Sequence, residues 1–276
     1  MIKMDIRKWI DEGGWKKAMK QKRYIICAIY LILVAVAEFS MTVDHPKICI
    51  VSHAIILFLL LFHSVLEWDK DEKLSRFLLA LLLVPLIRIL SFSLPYVHFN
   101  LVTWFIIVSV PIFIAIITIM WLQRLRPKDV GLLTPFTLRR MPIAAGVILV
   151  AIPIGVMEYF ILKPNPLPGL EMTSFFSAVL ILIICTGFLE ELAFRGVLQY
   201  NAVRLFGKWV GIVIVSAFFG LLHAGNISPW NLDCVLAFSV GFLFSIVRER
   251  GGSIYGISIA HGLINIVLFL IAPLYL

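Results

Sequence analysis

Charge is scarce in this chain. Of 276 residues only 14% are Asp, Glu, Lys or Arg, while 61% are hydrophobic and the mean hydropathy is +1.02. A soluble domain is nearer half apolar and a quarter charged, so a water-soluble globule is excluded. Period-2 alternation is also absent. That excludes the strands of a membrane barrel and leaves helices to satisfy the backbone in lipid. The four cysteines, at positions 27, 49, 185 and 234, form no C-x-x-C and mostly sit inside apolar runs. They read as small buried hydrophobes rather than a disulfide or zinc framework. There is no H-E-x-x-H, no G-x-S-x-G and no glycine-rich phosphate loop, so a zincin helix, a nucleophile elbow and nucleotide binding are not expected. Asp233 has no second aspartate to make an intramembrane aspartyl dyad. The basic first 23 residues contain no cleavable hydrophobic region, and residue 2 is Ile rather than the Gly that myristoylation needs. Internal repeats and low-complexity tracts are missing too.

What is present is a series of long apolar runs. Nine candidate spans lie near 24–44, 49–67, 76–95, 101–122, 142–162, 174–198, 209–223, 231–247 and 253–275. The seventh and eighth are short, so eight or nine spans are expected, and the fold class is an all-α polytopic transmembrane helix bundle. The net charge of +8 is one-sided. With the N-terminus in the cytoplasm, 20 of the 24 Lys and Arg fall in cytoplasmic segments and only Lys47 and Lys163 fall outside. This is a positive-inside pattern rather than a nucleic-acid surface. Residues 1–23, with Ile6, Trp9, Ile10 and Trp15 among lysines, suggest an interfacial helix before the first span. The basic loop 123–141 separates an N-terminal membrane region, 1–140, from a C-terminal core, 141–276.

Three stretches of that core place ionisable or polar groups in lipid-length runs: Glu190-Glu191-x-x-x-Arg195, Phe219-x-x-x-His223 and His261-x-x-x-Asn265. A charge there is unfavourable by at least ~2.5–3.5 kcal/mol on insertion scales and usually marks a site. Glu191 and Arg195 are i, i+4 neighbours that can neutralise each other. Glu190, turned about 100° away, is then left to face a cavity. A charge network that only pins two helices is the competing reading. Glu190 and His223 lie about 16 residues to either side of Gly207. If a helix of ~33 residues turns at Gly207, both reach one depth, about 24 Å back from the turn. His261 and Asn265 share a helical face and can both donate hydrogen bonds, although polar inter-helix packing explains such a pair equally well. Of the other intramembrane ionisable residues, Glu38 and Arg88 are expected to form a structural pair, His53 and His63 to be structural, and Glu158 has no assigned partner.

The segments GFLEELAFRGVLQ, FFGLLH and GGSIYGISIAHGLIN resemble the three signature segments of the CPBP family, the CAAX proteases and bacteriocin-processing enzymes also called the type II CAAX protease or Abi family. The resemblance covers about 170–270, with the helix from 142 included; residues 1–140 carry none. It implies an all-helical intramembrane glutamate-dependent endopeptidase. Glu190 and His223 would activate water, His261 and Asn265 would line the oxyanion hole, and Glu191, Arg195 and Phe219 would support them. The short connection from His223 to His261 leaves little room for an elaborate substrate loop, which argues against a eukaryotic-type prenylated CAAX substrate.

The resulting expectation is hydrolysis of a peptide bond by Glu190- and His223-activated water, in a cavity open to cytoplasmic water, with no metal and no cofactor. The partners are a peptide or protein substrate, lipidated or not, and membrane lipid, with no nucleic acid. The setting is a prokaryotic plasma membrane, and the sequence carries no signal of oligomeric state. Two alternatives stay open. One is a zinc-dependent membrane peptidase using Glu190, His223 and His261. The other is a non-catalytic immunity or scaffold protein.

Overall fold

The computed structural model describes the backbone of residues 6–93, 101–134, 140–165, 172–225 and 230–276. Side chains are described over 14–93, 103–134, 140–165, 175–225 and 231–276. Helices α1 (Ile6–Thr42), α2 (Pro46–Leu66), α3 (Glu72–Ser93), α4 (Leu101–Leu122), α5 (Met141–Leu162), α6 (Phe175–Phe206), α7 (Lys208–Leu221), α8 (Trp230–Gly251) and α9 (Tyr255–Tyr275) follow in order. No strand occurs among the described residues. Eight of the nine are long and apolar enough to cross a membrane, as the composition requires of an integral membrane protein. The exception is α7, whose 14 residues rise only about 21 Å. It corresponds to the short seventh run.

One element differs from the sequence reading. The basic N-terminal segment is not a separate interfacial helix. It continues into the first span as one 37-residue helix through Gly13 and Gly14. The side chains of Ile6, Trp9 and Ile10 lie outside the described residues, while Trp15 is exposed. The sixth helix is longer than its apolar stretch, as the spacing about Gly207 anticipates. It extends to Phe206 and stops at Gly207, whose φ of 85° ends the helix at little steric cost and starts α7 running back alongside.

One end of the bundle gathers the basic segments and ties them together. Arg76 donates to the Gln123 carbonyl at 2.8 Å, the Gln123 amide returns a bond to the Arg76 carbonyl, and Asn201 donates to Gln123 Oε1 at 2.9 Å. Lys22 pairs with Glu67, and Arg23 binds Asp71 through two nitrogens at 2.7 and 2.9 Å. Asp71 also caps α3 by accepting from the Leu74 amide. Burial pushes its carboxyl upward, but the Arg23 and Leu74 hydrogen bonds outweigh that and hold it below the usual carboxylate range.

Above this plane a single apolar cluster runs from Tyr30 and Val34 through Phe77 and Leu81 to Phe194, Phe218 and Ile257, so the N-terminal helices and the C-terminal core share one interior. Exposed Phe58, Phe62, Ile117 and Phe176 form the lipid-facing rim. Helices α6 and α9 approach closely. A Cβ on Gly187 would lie 2.5 Å from the Ser258 carbonyl oxygen and 2.6 Å from the Gly262 nitrogen. Only glycine lets these two backbones touch, and the contact sets His261 against the acidic pair.

Candidate active site

The acidic pair sits on a three-residue α-helical step, Leu189–Glu191, between two π-helical stretches, Leu182–Phe188 and Leu192–Leu198. Such bulges widen the helix and are frequent at functional sites. Glu191 and Arg195 are fully buried and paired, Arg195 Nη1 donating to Glu191 Oε1 at 2.9 Å. The same carboxylate oxygen contacts His261 Nδ1 at 2.8 Å. Arg195 lies 4.2 Å from the centre of the Phe219 ring, with Phe194 and Phe244 each at 5.8 Å, so three aromatic faces complete its shell. Phe219 therefore has a definite part: it stacks on Arg195 and packs edge-on against His261 at 5.9 Å and beside His223 at 4.9 Å.

Glu190 is placed differently. Its side chain keeps 27% of its exposure, and it lines a cavity of about 380 Å³ together with His223. The depth match read from the spacing is realised, because α6 and α7 turn at Gly207 and bring both residues to the same opening. His223 Nδ1 lies 3.0 Å from the Phe219 carbonyl. A carbonyl only accepts, so Nδ1 carries the hydrogen and Nε2 of the neutral ring is left as an acceptor. Cys185, Thr186 and Phe194 add the α6 wall, while Ile87, Arg88, Phe92, Trp104, Val108 and Ile112 give an opposite wall from α3 and α4.

A second cavity of about 30 Å³, close to the volume of one water, lies behind His223. Glu158, His223, His261 and Asn265 are its polar walls. Asn265 Nδ2 donates to Thr186 Oγ1 at 2.8 Å, and His261 Nε2 stands 3.9 Å from Glu190 Oε2. His223 and Phe219 line both cavities, so Glu190 in the large cavity and His261 and Asn265 in the small one stand on either side of His223.

Several participants were not assigned from the sequence. Thr186 orients Asn265 but sits one turn before the acidic motif as an ordinary helical threonine, with no sequence signal. Glu158 was visible only as a charge in a span; the fold brings it to the small cavity. Arg88 pairs with Glu38 as expected, Nε to Oε1 at 2.6 Å, and His53 Nε2 reaches the same oxygen at 3.0 Å. Arg88 Nη2 also donates to the carbonyl of Leu222, beside His223. For zinc, among the described residues the ligand atoms of Glu38, Cys49 and His53 lie within 4.8 Å of one another, but those of Glu190, His223 and His261 do not. The Arg88 guanidinium already occupies the Glu38 carboxylate, which makes that cluster a poor cation site.

Residues 172–267 match the family model described as Type II CAAX prenyl endopeptidase Rce1-like. The match holds all three motifs and bears out the resemblance they carry; α1–α5 lie outside it. No curated protein and no solved structure matches the chain.

Proposed function

We propose that the protein is an intramembrane endopeptidase of glutamate type, with its catalytic core in residues 141–276 and its N-terminus in the cytoplasm of a prokaryotic cell. The observation that carries this reading is the division between two adjacent carboxylates: Glu191 is consumed by Arg195 and His261, while Glu190 faces a cavity beside His223. A water held by the Glu190 carboxylate and His223 Nε2 gives a proton to Glu190 as its oxygen attacks the scissile carbonyl carbon. The carbonyl π bond opens to an oxyanion. The second amide hydrogen of Asn265 points its charge toward that oxygen. His261 joins it only when its ring carries both hydrogens, because Nδ1–H is already directed at Glu191. When the tetrahedral intermediate collapses, the C–N bond breaks and the proton on Glu190 passes to the leaving amine. The products are an acid and an amine.

The substrate is a peptide or protein segment with an apolar residue near the cleaved bond, matching the Phe92, Trp104, Phe105, Val108 and Ile112 wall. The test uses wild type, Glu190→Gln and Glu191→Gln purified in detergent, assayed on a quenched peptide panel with and without a prenyl group and with and without chelator. Cleavage by wild type that chelator leaves intact and Glu190→Gln abolishes supports the reading. Cleavage that survives in Glu190→Gln, or that chelator removes and zinc restores, overturns it.

A further inference from the structure

The large cavity has a direction. The polar plane that ties Arg76, Gln123 and Asn201 together marks the basic end of the bundle. At 1.5 Å per residue, Glu190, eleven residues before Asn201, lies about 16 Å from that plane, near the middle of a 30 Å hydrocarbon layer. On α3 the lining runs from Arg88 at about 18 Å to Phe92 at about 24 Å; on α4 it runs from Ile112 at about 16 Å to Trp104 at about 28 Å. The lining therefore leaves the carboxylate away from the basic loops and reaches nearly the opposite end of the helices.

The other direction is closed. Between Glu190 and the basic plane lie Phe194, Val197 and Leu198 on α6, Phe77 and Leu81 on α3 and Phe218 on α7, none more than 2% exposed. By contrast Ser91, Phe92, Trp104 and Phe105 at the far end are all partly exposed. The pocket that does lie at the basic end, about 330 Å³ lined by Thr134, Arg140, Ser253 and Tyr255, shares no residue with the site.

We infer that substrate reaches Glu190 from the membrane face opposite the basic loops. With the basic loops cytoplasmic, the substrate is a peptide presented on or anchored in the extracytoplasmic leaflet, and the hydrolytic water enters from that side. This reverses the cytoplasmic access expected from the sequence. The inference rests on the endopeptidase reading for its meaning, but its geometry is testable without cleavage.

Cys185 lines the cavity and is a natural reporter. In full-length protein carrying Cys27→Ala, Cys49→Ala and Cys234→Ala, a membrane-impermeant methanethiosulfonate is applied to right-side-out and to inverted vesicles. Lys128→Cys, exposed in the basic loop, is read in parallel in a background that also has Cys185→Ala. Ser91→Cys serves as a reporter nearer the mouth. The expected result is labelling of Cys185 and Ser91→Cys at least tenfold faster in the vesicle orientation that leaves Lys128→Cys unlabelled. Labelling in the same orientation as Lys128→Cys overturns the inference. So does labelling of neither reporter from either face, since no aqueous route then exists. Retention of wild-type melting temperature guards against misfolding. A chain that labels as expected but cleaves nothing sinks the peptidase reading alone.

Discussion

Two buried triads in this protein are built alike and open onto different surroundings. In the N-terminal helices Glu38 Oε1 contacts Arg88 at 2.6 Å and His53 at 3.0 Å; in the core Glu191 Oε1 contacts Arg195 at 2.9 Å and His261 at 2.8 Å. Each glutamate leaves its other oxygen without a hydrogen-bond partner. The histidines make the difference. His53 Nδ1 is fully buried, with no hydrogen-bond partner. His261 Nε2 faces a water-sized cavity with a second glutamate 3.9 Å away. A carboxylate–arginine–histidine cluster in a membrane is therefore not a site by composition. On the proposed reading it becomes one when the far side of its histidine opens onto space that water can enter.

The largest expected contrast follows from removing one charge at a time. Glu191→Gln withdraws the negative charge that holds Arg195 and His261, and cleavage is expected to fall by at least ~10²-fold. Glu38→Gln should leave kcat within ~3-fold while lowering the melting temperature, because Arg88 becomes a buried unpaired cation, a loss of roughly 3–5 kcal/mol. Equal activity in the two variants, measured at matched folded fractions, would remove the distinction. Next, Asn265→Ala should lower kcat by ~10²–10³ with little change in KM, as for loss of one oxyanion donor. Thr186→Val, which only lets Asn265 turn, should lower it less. If Thr186→Val is the more severe, Asn265 is not the donor.

A smaller effect tests the link between the two regions. Arg88→Lys retains charge near Glu38 but loses the guanidinium fork that also holds the Leu222 carbonyl. An approximately 3–10-fold decrease in kcat is expected, with faster modification of His223 by diethylpyrocarbonate read by mass spectrometry. An unchanged His223 modification rate would confine Arg88 to its own triad. The least effect is expected at the basic end. The Asp71 carboxyl is held below its ordinary range, so its contribution is fully present above the unfolded carboxylate pKa and is lost as pH falls through the lower folded value. Asp71→Asn retains a capping side chain and should melt a few degrees lower at pH 7, with the gap to wild type narrowing toward pH 3. A gap constant with pH would mean that the Arg23 pairing adds nothing.

Much of this was legible in residue spacing. The nine helices among the described residues, the turn at Gly207, the equal depth of Glu190 and His223, and the Glu191–Arg195 and Glu38–Arg88 pairs all follow from helical arithmetic and the scarcity of charge. Contacts that depend on how helices are arranged around one another did not follow. Nothing local in α5 points Glu158 at His261, or in α4 places Trp104 above Glu190. The continuity of α1 was missed because Gly13-Gly14 reads as a break, although two glycines weaken a helix by only about 1 kcal/mol each. The π-helical stretches have no pattern in composition at all.

Those stretches have a consequence for the reading frame of the helix. Each inserts about one residue into the α-helical count and so turns everything beyond it by roughly 100°. With one on each side, the three residues Leu189–Glu191 are phased independently of both ends of α6. The upper end can present Gly187 to α9 and the lower end Asn201 to Gln123 without either choice dictating where Glu190 points. Deleting a single residue from either π stretch would restore a regular helix and rotate one flank against the other. In this helix a one-codon loss is a more drastic change than most substitutions, because it re-aims the acidic pair while removing neither glutamate.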